Sequence, residues 1–194
     1  MDKLVCVLML LSYVVAEAPS QEERDSILEY HTVVRERVQP FASNMKMMSY
    51  SGKMESLAVE WAARCKNEET DPATDGTISF TAQNRALFAG NKPTLTDAAY
   101  LWYTENHGYN YHRNRCAGNC VRYKQMVWAT ATELGCAIQR CDNITSYSPK
   151  PIYLVVCVYS PIRGYVGRRP YKNGYPCINC PSGYRCSRNQ CVKI

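Results

Sequence analysis

Phenylalanine and histidine are both scarce in this chain of 194 residues, with three of each. His31 shares a helical face with Ile27 and Val34, the setting of a packing histidine. His107 and His112 flank a tyrosine-rich loop that offers no partner nucleophile. No serine stands in a nucleophile-elbow pattern, so the residues read as a non-enzyme. Past the N-terminus no run approaches the ~18 apolar residues of a membrane helix, which argues against an integral membrane protein. There is no dense basic stripe behind the formal charge of +6. The cations are dispersed, with small concentrations at Arg113/Arg115, Arg122/Lys124 and Arg168/Arg169, which argues against nucleic acid as a partner. What remains is solubility and a weak attraction to acidic glycans or headgroups. Internal repeats are absent.

What is present begins with a leader. Lys3 is followed by LVCVLMLLSYVVA, with small residues at Val14 and Ala16, so residues 1–16 read as a signal peptide of a secreted, extracellular protein. Eleven cysteines become ten when Cys6 leaves with it. An even number in an exported chain predicts five disulfides rather than metal thiolates. Cys177-x-x-Cys180 has a zinc spacing, but an oxidising pathway turns such thiols into disulfides first. With Cys186 and Cys191 these cysteines allow three pairings, and spacing does not choose among them. The fifteen tyrosines suit packing in a small stapled domain, or half-wet grooves.

Ser20 and Glu23 form a capping-box pattern that opens a first helix, with Ile27, His31, Val34 and Val38 on one face before Pro40. Met54, Leu57, Ala58, Trp61, Ala62 and Cys65 predict a second helix from about 52 to 66. A third starts near Thr96-Asp97 and carries Leu101, Trp102 and Glu105, and a short fourth runs from Arg122 to Trp128. Residues 134–139 and 153–159 read as strands. The turn between them holds the sequence's single N-glycosylation acceptor, Asn143 in Asn-Ile-Thr. Helices covering strands predict an α/β layered fold. From Pro161 the composition turns to Gly, Pro, Tyr, Arg and Cys, so residues 161–194 form a cysteine-rich extension of a domain at 17–160.

Several of these segments together resemble the CAP superfamily of cysteine-rich secretory proteins, venom allergens and pathogenesis-related proteins. They are LWYTEN (101–106), YKQMVWATATELGCAI (123–138), YLVVCVYSP (153–161) with Arg163-Gly164, and PYKNGYPCINCPSGYRC in the tail. The likeness is closest to venom allergen-like proteins of parasitic helminths. It implies a three-layer α-β-α sandwich. It also implies disulfides Cys65–Cys141, Cys116–Cys120 and Cys136–Cys157, with Cys177–Cys186 and Cys180–Cys191 in the tail.

Family members place two histidines and two glutamates around a central cleft, a donor set suited to a divalent metal. Here the resemblance puts those four positions on Glu69, Gln83, Glu105 and Arg122. Only Glu105 keeps the family's residue. Arg122 has no lone pair and carries a permanent charge, so no family-type metal site and no cofactor are expected. Glu105 and Arg122 are expected to pair across the cleft. Family ligands are lipids or host proteins. The loop 67–77 has no aromatic residue, which argues against sterol by that route. Val34 and Val38 of the first helix and Leu101 and Trp102 of the third suggest a channel for a fatty acid or related single-chain lipid. The expected function is a secreted, non-catalytic lipid-binding protein; the alternative is an immunomodulatory factor that binds a host protein or receptor.

Overall fold

The computed structural model describes residues 18–67, 80–146, 149–163 and 167–194. Residues 1–16, read above as a leader, Glu69 and nearly all of the 67–77 loop lie outside the described residues. Four helices are present among them: α1 (Gln21–Glu36), α2 (Gly52–Ala63), α3 (Leu95–Tyr103) and α4 (Val121–Met126). At the head of α1 the Glu23 N–H donates to Ser20 Oγ, and the Ser20 N–H donates to the Glu23 carboxylate. Thr94 and Asp97 repeat that reciprocal cap on α3, which fixes its start.

The strands are β1 (Ser49–Tyr50), β2 (Ala82–Ala89), β3 (Tyr109–Asn110), β4 (Arg115–Cys116), β5 (Glu133–Arg140), β6 (Ile152–Ser160), β7 (Tyr184–Ser187) and β8 (Gln190–Lys193). The main sheet runs β1-β5-β6-β2, parallel only between β1 and β5. The pleat of β5 and β6 builds two cores at once. Leu134, Cys136, Ile138, Val155, Cys157 and Tyr159 face a core shared with α1, α3 and α4. Ala137, Leu154, Val156 and Val158 face Met54, Ala58 and Ala62 of α2. That gives the three layers of an α-β-α sandwich. Gly135 of β5 lies under the first turn of α2, where a Cβ would strike the Met54 and Glu55 backbone. Strand β2 escapes a reading of the sequence because its buried positions are Ala82, Asn84 and Ala86, residues with little strand propensity.

All five disulfides implied by the resemblance are formed, including Cys177–Cys186 and Cys180–Cys191 in the tail. The tail is docked. The Cys191 N–H donates to the Met45 carbonyl at 2.7 Å, and the Met47 N–H donates to the Cys191 carbonyl at 3.0 Å. From the tail hairpin, Arg188 bridges Glu29 and Glu36 on α1, and the Gln190 amide donates to the Thr32 carbonyl. On its other side α1 buries Arg35, whose guanidinium donates to the carbonyls of Met126, Trp128, Lys46 and Ala131. No helix among the described residues is long and apolar enough to cross a membrane.

Candidate functional site

Helix α4 has only six residues, and its N-cap Cys120 supplies no side-chain acceptor. The first N–H groups of such a helix need acceptors from elsewhere. Glu105 provides one from seventeen residues upstream: its Oε2 accepts from the Arg122 N–H at 2.9 Å and the Tyr123 N–H at 3.1 Å. Its Oε1 accepts from Arg122 Nη1 at 3.1 Å. The side chain of Glu105 is 11% exposed and that of Arg122 38%, so the carboxylate is the buried member of the pair. Burial pushes the Glu105 pKa up, opposed by the Tyr123 N–H and by the charge and N–H of Arg122. Glu105 was expected on the third helix. It stands instead on the 3-10 turn Thr104–Gly108 that follows α3, and this turn aims it at the end of α4.

Beneath the pair runs a buried polar chain. Asn84 of β2 donates from Nδ2 to the Arg122 carbonyl at 3.0 Å and to the Tyr159 hydroxyl at 3.2 Å. The Tyr159 hydroxyl lies 3.0 Å from His31 Nε2, while His31 Nδ1 lies 2.9 Å from the Ile27 carbonyl. A carbonyl only accepts, so Nδ1 carries the proton and Tyr159 donates to Nε2. Burial, with the Arg35 cation nearby, drives the His31 pKa down to about 4. The neutral imidazole is thus part of the fold, linking α1 through β6 and β2 to α4. One wall of the region is a run of tyrosine rings: Tyr123 meets Tyr103 and Tyr109, Tyr109 meets Tyr111, and Tyr111 stacks on Tyr171 at 4.8 Å.

The other positions named from the sequence fall as follows. Gln83 lies on β2 opposite Val158, beside the Asn84 that reaches α4. Val34, Val38 and Trp102 are core residues, and the Trp102 indole donates to the Arg85 carbonyl at 3.0 Å. Leu101 is 44% exposed, so these four side chains do not line one channel. Asn143 is exposed in the turn between β5 and β6. Among the described residues, one group of three metal-capable side chains comes together, Cys177, Cys180 and Cys191, and their sulfurs are committed to disulfides. The roles of Asn84 and Tyr159 were not legible in the sequence, where both look like ordinary strand residues.

The comparisons accord with this architecture. The family profile described as "CAP: Cysteine-rich secretory protein family" matches residues 28–159. The chain is 36% identical to peptidase inhibitor 15 of Xenopus laevis, covering 89% of this chain and 71% of that protein. It is 34% identical to cysteine-rich secretory protein LCCL domain-containing 2 of Homo sapiens, of which it spans 38%. Among solved structures it matches venom allergen-like protein 4 of Schistosoma mansoni at 31% identity and a TM-score of 0.64, covering 80% of this chain and 97% of that one. The hookworm platelet inhibitor shares the fold, with 22% identity, a TM-score of 0.72, and 91% and 93% coverage.

Proposed function

The chain belongs to the CAP, or cysteine-rich secretory protein, family, and from that premise we propose that it acts outside the cell as a non-catalytic binding protein whose family-type metal cleft is closed by Arg122. The observation that carries this reading is the use already made of Glu105. Both its oxygens accept hydrogen bonds from α4, and the neighbouring side chain is a guanidinium with no lone pair to offer a cation. Gln83 adds at most a neutral amide oxygen, so this donor set does not fit a divalent metal. The five disulfides and the reading of residues 1–16 as a leader support export. Residues 17–160 form the CAP domain in this reading, and 161–194 its extension. That the relatives include a protein named peptidase inhibitor accords with binding rather than turnover. Calorimetric titration of untagged protein with Zn²⁺ tests it: no stoichiometric micromolar uptake is expected, and such uptake at the cleft sinks the proposal.

A second reading, a single-chain lipid seated along α3 and α1, is favoured by one observation. Tyr100 and Leu101 stand exposed on α3, beside the half-buried Tyr30 and Tyr103. With Val34, Val38 and Trp102 occupied in the core, the lipid would lie on this seam rather than in a channel. Mass spectrometry of lipid extracted from purified protein tests this second reading. A stoichiometric fatty acid favours the second.

A further inference from the structure

The acids of this chain are unevenly placed. No Asp or Glu occurs between Asn106 and Thr132, or anywhere beyond Asp142, while residues 143–194 carry eight lysines and arginines. The fold concentrates that bias. Arg169 donates from Nε to the Tyr111 carbonyl at 3.0 Å and from Nη2 to the His112 carbonyl at 2.7 Å. Asn114 Nδ2 donates to the Gly167 carbonyl at 2.9 Å. Residues 167–169 therefore lie directly on the β3–β4 hairpin, and two doublets that look dispersed in sequence, Arg113/Arg115 and Arg168/Arg169, become neighbours. All four are exposed. Lys124, half-buried, adds a fifth cation with its Nζ 5.5 Å from the centre of the Tyr109 ring, whose hydroxyl donates to Asn114.

Among the described residues none of these five has a carboxylate partner, whereas Arg24, Arg122, Arg140 and Arg188 all do. The platform beneath is rigid, with Cys116–Cys120 tying the hairpin to α4 and Tyr111 stacked on Tyr171. Five cations without a carboxylate partner on a fixed surface focus a positive potential outward. Arg169 contributes charge while its Nε and Nη2 hold the hairpin, and the guanidiniums of Arg113, Arg115 and Arg168 can grip oxyanions through paired donors.

We propose that this face docks a sulfated polysaccharide chain. A bilayer is the poorer fit, because among the described residues the large exposed apolar side chain next to these cations in the chain is Val121, where a membrane-inserting face carries Trp, Phe or Leu. Nucleic acid is poorer too: the Tyr109 and Tyr111 rings are covered by Lys124 and Arg169 and so give bases no open stacking platform. This surface and the Glu105–Arg122 cleft adjoin at Lys124 and the Tyr109 and Tyr111 rings. The five cations include neither Glu105 nor Arg122, so the surface stands whether or not that cleft binds metal.

The test uses the full mature protein on immobilised heparin, with phosphatidylserine vesicles and duplex DNA in parallel. The affinity for heparin should fall with salt, with a slope in log Kd against log salt of about 3–4. Replacing Arg115→Ser with Arg168→Ser should weaken binding about tenfold and lower that slope by about 1–2. The charge-matched pair Lys53→Ser with Lys66→Ser should change it less than about twofold, since both lysines are exposed on α2 or just past its end. Arg115→Lys with Arg168→Lys, which keeps the charge, should retain the salt slope. Equal losses in the two serine pairs would mean that net charge alone drives binding, and that overturns the proposal. Binding to vesicles or DNA as tight as to heparin overturns it equally.

Discussion

Acidification should unfasten the fold at His31 before it does so elsewhere. The imidazole is fully buried, accepts the Tyr159 hydroxyl and donates to the Ile27 carbonyl. Its folded pKa of about 4 lies below the ordinary 6.5 of the unfolded chain. Between those values the unfolded state holds a proton that the native state refuses, so stability rises with pH and is lost as pH falls from about 6.5 toward 4. Each pKa unit is worth about 1.4 kcal/mol, so moving from pH 7.5 to 4.5 should cost about 2.5 kcal/mol, with a limit near 3.4 kcal/mol at lower pH. Urea unfolding of the disulfide-intact protein, followed by tryptophan fluorescence, measures this directly. The comparison is with His31→Gln, which cannot take up the proton. That variant should be weaker at pH 7.5 by about 1–2 kcal/mol through its altered hydrogen bonds. Carboxylates held below their ordinary range, Glu29, Glu55, Asp97 and Asp142, lose their contribution near the acid end in both proteins, and Glu105, pushed up, opposes them. The difference between the two proteins therefore isolates the imidazole. If both lose the same stability between pH 7.5 and 4.5, the reasoning is wrong.

Glu105→Ala removes the acceptor of two α4 N–H groups and should cost about 2–3 kcal/mol in urea unfolding. Arg122→Ala, which removes a more exposed partner, should cost under about 1 kcal/mol, and the reverse order would mean the ion pair matters more than the cap. Gly135→Ala forces a methyl into the backbone at the start of α2 and should lower stability by about 1–3 kcal/mol; an unchanged unfolding midpoint would show that α2 can shift at no cost. Protein secreted from eukaryotic cells should lose mass on N-glycosidase treatment, and Asn143→Gln should abolish the shift, because Asn143 is exposed in an Asn-Ile-Thr turn.

The helices were legible because their signals are local. The Ser20–Glu23 box and the apolar stripe of α2 lie within a few turns of chain, and the β6 stretch YLVVCVY announces a strand buried on both faces. Strand β2 was not, since alanines alternating with Asn84 carry little intrinsic preference and are held by pairing with β6. The Glu105–Arg122 contact could be anticipated only through the family resemblance, as the two are joined by a turn and a helix end whose geometry no spacing rule fixes. Arg35 was invisible: a cation on an amphipathic helix looks solvated until the carbonyls of Lys46, Met126, Trp128 and Ala131 converge on it. The meeting of the basic doublets was hidden for the same reason, because it depends on where residues 167–169 land after β6.

Because α1 is gripped from inside by its own Arg35 and from outside by Arg188 and Gln190, the tail is no pendant. A pull on the C-terminus enters the molecule along the very helix that seals its interior. Peeling the stapled hairpin away and opening the domain should then register as one event in a force trace, with no earlier, softer release.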